Sequence, residues 1–217
     1  MQKSGTSKIQ LCFIVFGIII GIVGILHGGA ELFKGSELIQ SHSVKALPQN
    51  WPNTEFNLLM KGAPVFSLLT DIPHYVLGLL AISVSIVLIV FSAKFFRLDF
   101  KRILLFALLS LGIFLFGAGE GTPIAISLPL VIFGIILLLF AKKKERSESS
   151  KRTILSLFNI LFGLQIFSWV LFFPGLFVLS FYQKIPQWLF LFDFMIMPIS
   201  IIGALISALL YDKTIQD

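Results

Sequence analysis

Long apolar runs alternate with short polar segments along the whole chain. A helix needs about 20 predominantly apolar residues to cross roughly 30 Å of hydrocarbon. Six runs meet or approach that length, so the pattern predicts an all-α integral membrane protein, a six-transmembrane-helix bundle. The predicted spans are about 9–30, 71–91, 103–118, 123–141, 154–173 and 187–210.

Proline and capping residues predict where several of these helices begin or bend. Asp71 is placed to cap the second span, with Pro73 inside its first turn. Pro123 is placed to open the fourth span after a glycine-rich turn. Pro174 should bend or end the fifth span, and Pro198 should kink the sixth, which membrane helices tolerate.

Composition changes the picture only by excluding other classes. Hydrophobic residues make up 57% of the chain and charged residues 13%, against about 25% charged in a soluble domain. The net charge of +6 comes from short basic runs between apolar segments, which is typical of membrane orientation. We therefore expect a lipid bilayer as partner and no nucleic acid.

The distribution of basic residues predicts the orientation. With a cytoplasmic N-terminus, thirteen Lys and Arg residues lie inside, and four lie outside (Lys34, Lys45, Lys61 and Lys184). Cytoplasmic loops carry the excess of basic residues, so both termini are expected in the cytoplasm, below a plasma or inner membrane. The first apolar run is too long for a secretory signal and is interpreted as a retained span.

Two connections stand out within this single membrane domain of residues 1–217. Residues 32–70 form a long exterior loop, in which Trp51 and the apolar stretch 63–69 are expected to lie at the interface as a lid or short amphipathic piece. Residues 142–152 form a basic cytoplasmic linker between the fourth and fifth spans.

Small and polar residues share one face of three spans, by the 100° turn per residue. Small residues on one stripe let helices approach closely, so these faces should point into the bundle. The first stripe contains Gly17, Gly21, Gly24, His27, Gly28 and Glu31, the second contains Asp71, His74, Gly78, Ala81, Ser85 and Ser92, and the sixth-span stripe contains Asp193, Ser200, Ala204 and Ser207.

Ionisable residues on these faces define the candidate site, a polar pocket in the outer half of the bundle. Asp193 lies five residues beyond Trp188, or roughly 8 Å deeper, where an isolated carboxylate is costly. The predicted binding residues are His27, Glu31, Asp71, His74, Glu120 and Asp193. Four of them (His27, Glu31, His74 and Asp193) could together hold a divalent metal such as Zn²⁺, Mn²⁺ or Fe²⁺.

Each candidate also has a structural interpretation. Asp71 is most simply a helix cap, while Glu31 and Glu120 could be solvated helix ends. The histidines could be interfacial hydrogen-bonding groups. Asp193 is the residue for which a functional role is preferred, because acids inside a membrane are expensive.

Three functions remain open. The preferred one is a binding or transport component whose pocket takes up a cation, a proton or a small polar solute. In outline, six spans with a long first exterior loop resemble the substrate-capture subunits of vitamin transporters. The alternatives are a membrane-embedded metal-dependent hydrolase, in which the metal activates water, and an accessory subunit that docks other membrane subunits through its glycine-lined faces.

Overall fold

The computed structural model describes residues 7–45, 54, 64–117, 122–140, 147–182 and 184–215. Within these residues the chain forms six helices. They are α1 (Lys8–Lys34), α2 (His74–Val90), α3 (Phe100–Phe116), α4 (Thr122–Phe140), α5 (Glu148–Val170) and α6 (Gln187–Ile215). A π-helical segment, Phe91–Phe95, extends α2. A second one, Leu171–Leu176, extends α5 and leads into a last turn, Phe177–Leu179.

Five of these helices are long and apolar enough to cross a membrane. All except α3 belong to this group, and their most apolar windows have mean hydropathies between 2.0 and 2.8. Helix α3 has 17 residues, which at 1.5 Å per residue span roughly 26 Å. The chain is therefore a helical, multi-pass membrane protein.

The connection between α1 and α2 contains a short antiparallel ribbon. Strand β1 (Ser43–Lys45) pairs with β2 (Pro64–Phe66), and Val44 lies opposite Val65. Backbone pairing with β1 thus holds the centre of the stretch 63–69 extended, and its role as a lid or short amphipathic piece stays a prediction. Trp51 lies outside the described residues, so its place at the interface stays a prediction.

Helix α2 begins three residues later than predicted and without the expected cap. Its N-cap is Pro73, and no side chain caps it. The amides of His74 and Tyr75 donate to the carbonyls of Glu37 and Gly35 instead, at 3.0 Å each. Asp71 is exposed and has a left-handed backbone (φ 60°), so its assignment as an N-cap is wrong. Backbone carbonyls of the incoming connection have taken over the role of the cap.

The predicted basic linker is shorter than expected on its C-terminal side. Ser147 caps α5 through its hydroxyl, and the helix runs from Glu148. Residues 148–152 are therefore helical rather than linker, and 142–146 lie outside the described residues. Pro174 sits inside the π-helical segment and does not end the helix, while Pro198 lies within α6.

Helix α3 starts with a capping carboxylate. The Asp99 side chain accepts a hydrogen bond from the Arg102 backbone amide at 3.0 Å, and the Arg102 guanidinium also contacts it. Both bonds favour the ionised form, the backbone one most, and they lower the pKa of Asp99 below its usual value. This cap fixes the end of the connection between α2 and α3.

Helices α1 and α2 pack closely along the predicted glycine stripe. A Cβ atom added at Gly28 would lie 2.8 Å from the Gly78 carbonyl oxygen, and one at Gly78 would lie 2.5 Å from the Gly28 carbonyl oxygen. Neither backbone can yield, so these positions need glycine. The stripe on α1 is thus buried by a helix of the same chain, as small-residue packing predicts.

The core contains an aromatic cluster beside the N-terminal half of α1. Phe13 stacks on Phe96 with ring centroids 4.5 Å apart and meets Phe106 edge-on at 5.0 Å. Helix α5 packs mainly against α6, whereas α1 packs mainly against α2. The polar faces of the bundle are therefore buried in two different helix pairs.

Candidate functional site

A buried carboxylate lies at the end of α1. Glu31, in the last two turns of that helix, has a side chain with 0% exposure. The Lys34 ammonium lies 2.5 Å from its Oε1, and the side chain of Lys34 is 8% exposed. Because lysine is three residues further along the same helix, this ion pair forms on one helical face.

The second partner of Glu31 comes from α2. His74, the first residue of that helix, makes a hydrogen bond from its Nδ1 to Glu31 Oε2. Two features hold the imidazole in place: the backbone bond from its amide to Glu37, and the close Gly28–Gly78 approach one turn away. A carboxylate bonded at Nδ1 fixes the proton there, which leaves Nε2 as the basic nitrogen.

The cluster has a third member, as the helical spacing predicts. His27 Nε2 lies 4.0 Å from Glu31 Oε1, and its side chain is 15% exposed. The structure therefore brings three of the predicted residues together, His27, Glu31 and His74, and adds Lys34. We call these four residues the Glu31 cluster.

Asp193 lies in the other helix pair. Its side chain is 1% exposed, and its Oδ1 accepts a hydrogen bond from the Ser168 hydroxyl of α5. No hydrogen bond or ion pair among the described residues joins it to Glu31 or His74. The expectation of a recess shared by all three helices is therefore not met in these contacts.

A second polar contact lies on the same α5–α6 interface. The Ser200 hydroxyl lies within hydrogen-bond distance of two acceptors, Gln165 Oε1 and the Ile196 carbonyl of its own helix, the latter 2.7 Å away. All four polar residues of the interface are buried: Gln165, Ser168, Asp193 and Ser200. The predicted stripe on α6 is buried, and two of its members, Asp193 and Ser200, contact α5.

The remaining predicted site residues do not join the Glu31 cluster. Asp71 is exposed, and its Oδ2 accepts from Thr70 Oγ1 at 3.3 Å. Glu120 lies outside the described residues. Among those that are described, no group of three or more His, Cys, Asp and Glu side chains is arranged to hold a metal ion.

Sequence reasoning missed three contributors: Lys34, Ser168 and Gln165. Lys34 carries a usable signal, since it lies three residues after Glu31 on the same helix. Ser168 and Gln165 carried none, because their role depends on which helix pairs with α6.

The Glu31 cluster places a buried carboxylate between an ammonium group and an imidazole. With Glu31 ionised, Lys34 charged and His74 neutral, these three side chains have no net charge. A proton arriving at His74 Nε2 would form an imidazolium directly against the Glu31 carboxylate, which stabilises it. No protein-family model, curated protein or solved structure matches this chain, so the site itself carries the functional argument.

Proposed function

We propose that this protein is a six-span membrane transport component in which the Glu31 cluster binds and releases protons. The observation that carries the proposal is a fully buried glutamate that contacts both a histidine of the neighbouring helix and a lysine of its own. Intramembrane ionisable residues that pair with one another are typical of proton and ion pathways.

The contact between the chain ends supports six spans rather than five. The Ser7 hydroxyl, just before α1, donates to Asp212 near the end of α6 at 2.8 Å. Both helices are candidate membrane spans. The start of α1 and the end of α6 therefore lie on the same side of the membrane, which requires an even number of crossings. Counting α3 as a span gives six. With the distribution of basic residues, we place both termini in the cytoplasm and the Glu31 cluster near the opposite surface.

The geometry favours a proton over a metal ion at Glu31. Lys34 Nζ, 2.5 Å from Oε1, occupies the side of the carboxylate that a divalent cation would need. His74 Nδ1 occupies the other oxygen. A proton needs only the one free nitrogen of an imidazole, whereas Zn²⁺ needs about four ligands.

In the proposed mechanism His74 carries the proton and Glu31 positions it. Glu31 accepts the Nδ1 hydrogen and so directs the lone pair of Nε2 outward from the pair. A proton taken up at Nε2 is stabilised by the carboxylate. The Lys34 ammonium stabilises the ionised carboxylate, so that Glu31 itself does not bind a second proton. Loss of the proton from Nε2 restores the neutral cluster.

The test is proton movement in liposomes that enclose a pH-sensitive dye. Purified protein is reconstituted, a potassium gradient with valinomycin sets the membrane potential, and internal pH is followed. We expect proton uptake to be faster with the wild-type protein than in empty liposomes. The rate above that background should be at least tenfold lower with Glu31→Gln. His74→Gln should behave like Glu31→Gln, since either change removes the pair.

Glu37→Gln is the matched control. Glu37 is an exposed glutamate six residues further along, and the substitution leaves the backbone carbonyl that accepts from the His74 amide. It should retain the wild-type rate. Wild type no faster than empty liposomes, or Glu31→Gln as fast as wild type with an unchanged circular dichroism spectrum, would overturn the proposal.

A further inference from the structure

Helix α6 carries two buried aspartates that differ in the number of their hydrogen-bond donors. Asp212 accepts three hydrogen bonds: from the Ser7 hydroxyl at 2.8 Å, the Lys8 amide at 2.7 Å and the Ile9 amide at 2.9 Å. Two of these donors are backbone amides at the start of α1, where a negative charge is favoured. Asp212 thus has three donors that stabilise its ionised form.

Asp193 has one donor and one bare oxygen. Ser168 donates to Oδ1, but Oδ2 is buried and has no hydrogen-bond partner among the described residues. An ionised carboxylate with one neutral donor inside a membrane is strongly disfavoured relative to the neutral acid. The surroundings of Asp193 therefore suit the protonated acid.

Among the residues that the structure describes, no charged group contacts Asp193 and offsets this cost. Helix α5 presents Gln165 and Ser168, both neutral, and neither α4 nor the π-helical segment Leu171–Leu176 contains a titratable side chain. At the opposite end of α6, Lys8 of α1 lies beside Asp212. The other titratable groups of α1 are Cys12, His27, Glu31 and Lys34, of which Glu31 and Lys34 pair with each other.

We propose that Asp193, held by Ser168, is a second proton-binding site that is separate from the Glu31 cluster and occupied at neutral pH. The ligand is a proton on Oδ2, the bare oxygen. The proposal does not depend on proton movement through Glu31, because it rests on the α5–α6 interface alone.

Infrared spectroscopy of the reconstituted protein tests the proposal. The carbonyl stretch of a protonated carboxylic acid is separate from carboxylate bands, and ¹³C-aspartate labelling shifts only the aspartate signals. At pH 7 we expect one label-sensitive carboxylic acid band in wild type that disappears in Asp193→Asn. Ser168→Ala should retain the band at a shifted frequency, because the hydrogen bond to Oδ1 is lost.

Asp212→Asn is the matched control, since it changes the other buried aspartate of the same helix. It should leave the band unchanged, and Glu31→Gln should do the same. If labelled wild type lacks a carboxylic acid band at pH 7, or if the band survives Asp193→Asn, the proposal is wrong. The labelled wild-type spectrum decides the first point even if a variant fails to fold.

Discussion

At the scale of single residues, the cost of a buried charge depends on how completely it is paired. Glu31 is fully buried but contacts Lys34 and His74. Removing one partner of a buried ion pair leaves the other uncompensated, which typically costs 3–5 kcal/mol, whereas replacing both partners by neutral groups costs far less.

We therefore expect Lys34→Met to lower the free energy of unfolding by about 3 kcal/mol. The double variant Glu31→Gln, Lys34→Met should recover most of that loss, since no unpaired charge remains. Denaturant unfolding of the detergent-solubilised protein measures both changes, and together with Glu31→Gln alone they complete a double-mutant cycle.

The pair Glu148–Lys151 provides a control with the same three-residue spacing. It is 2.6 Å long, but the glutamate side chain is 76% exposed. Lys151→Met should change stability by less than about 1 kcal/mol, as for exposed pairs in general. Equal effects at Lys34 and Lys151 would show that burial does not set the strength of the Glu31 pair.

The same contrast shows what a sequence can reveal about a site. The Glu31–Lys34 pair is local and could be predicted from spacing alone. The His74 contact required the further inference that α1 and α2 pack along their small faces, which the glycine stripe supported. The partner of Asp193 could not be predicted, because the sequence of α6 does not indicate whether α5 or α1 packs against the face that carries Asp193.

At the scale of helices, close approach decides where glycine is required. Gly28 and Gly78 bring the backbones of α1 and α2 together one turn from the Glu31–His74 contact. Gly29, the neighbouring residue, has open space where a Cβ would lie. Gly78 and Gly29 therefore separate the requirement of close packing from intrinsic helix propensity.

Gly78→Ala should lower the free energy of unfolding by about 1–3 kcal/mol, because the added methyl group meets a backbone carbonyl that cannot move aside. Gly29→Ala should be neutral or stabilising by up to about 1 kcal/mol, since alanine is the better helix former. Thermal unfolding monitored by circular dichroism compares them. A Gly29→Ala variant as unstable as Gly78→Ala would contradict the packing explanation.

Helices were predicted better than their ends. Apolar runs placed every helix, because hydrocarbon requires long apolar segments whatever their neighbours. The predicted start of α2 is wrong because the first amides of the helix donate to the carbonyls of Gly35 and Glu37. These residues lie far from α2 in the sequence, so local patterns do not reveal the contact. The strand at 64–66 was missed for a similar reason, since its pairing partner lies about twenty residues earlier.

At the scale of the whole molecule, one carboxylate connects the first and last helices of the bundle. Asp212, near the end of α6, accepts hydrogen bonds from the hydroxyl of Ser7 and from the first amides of α1. Lys8 adds a cation–π contact to Tyr211, with its Nζ 5.8 Å from the ring centroid. The first and last helices are thereby joined, although some 200 residues separate their contacting groups.

Replacing Asp212 should loosen this closure. Asp212→Ala leaves a hydroxyl and two amides without their acceptor, so we expect the free energy of unfolding to fall by roughly 1–3 kcal/mol. Asp212→Asn keeps an acceptor oxygen but loses the charge and should be intermediate, whereas Lys213→Ala should be near neutral. Chemical denaturation ranks the three variants.

Hydrogen exchange then locates the effect. Faster exchange confined to the first turn of α1 and the last turns of α6 would agree with a local contact between the two helices. If Asp212→Ala is as stable as wild type, the helix ends are held by apolar packing alone.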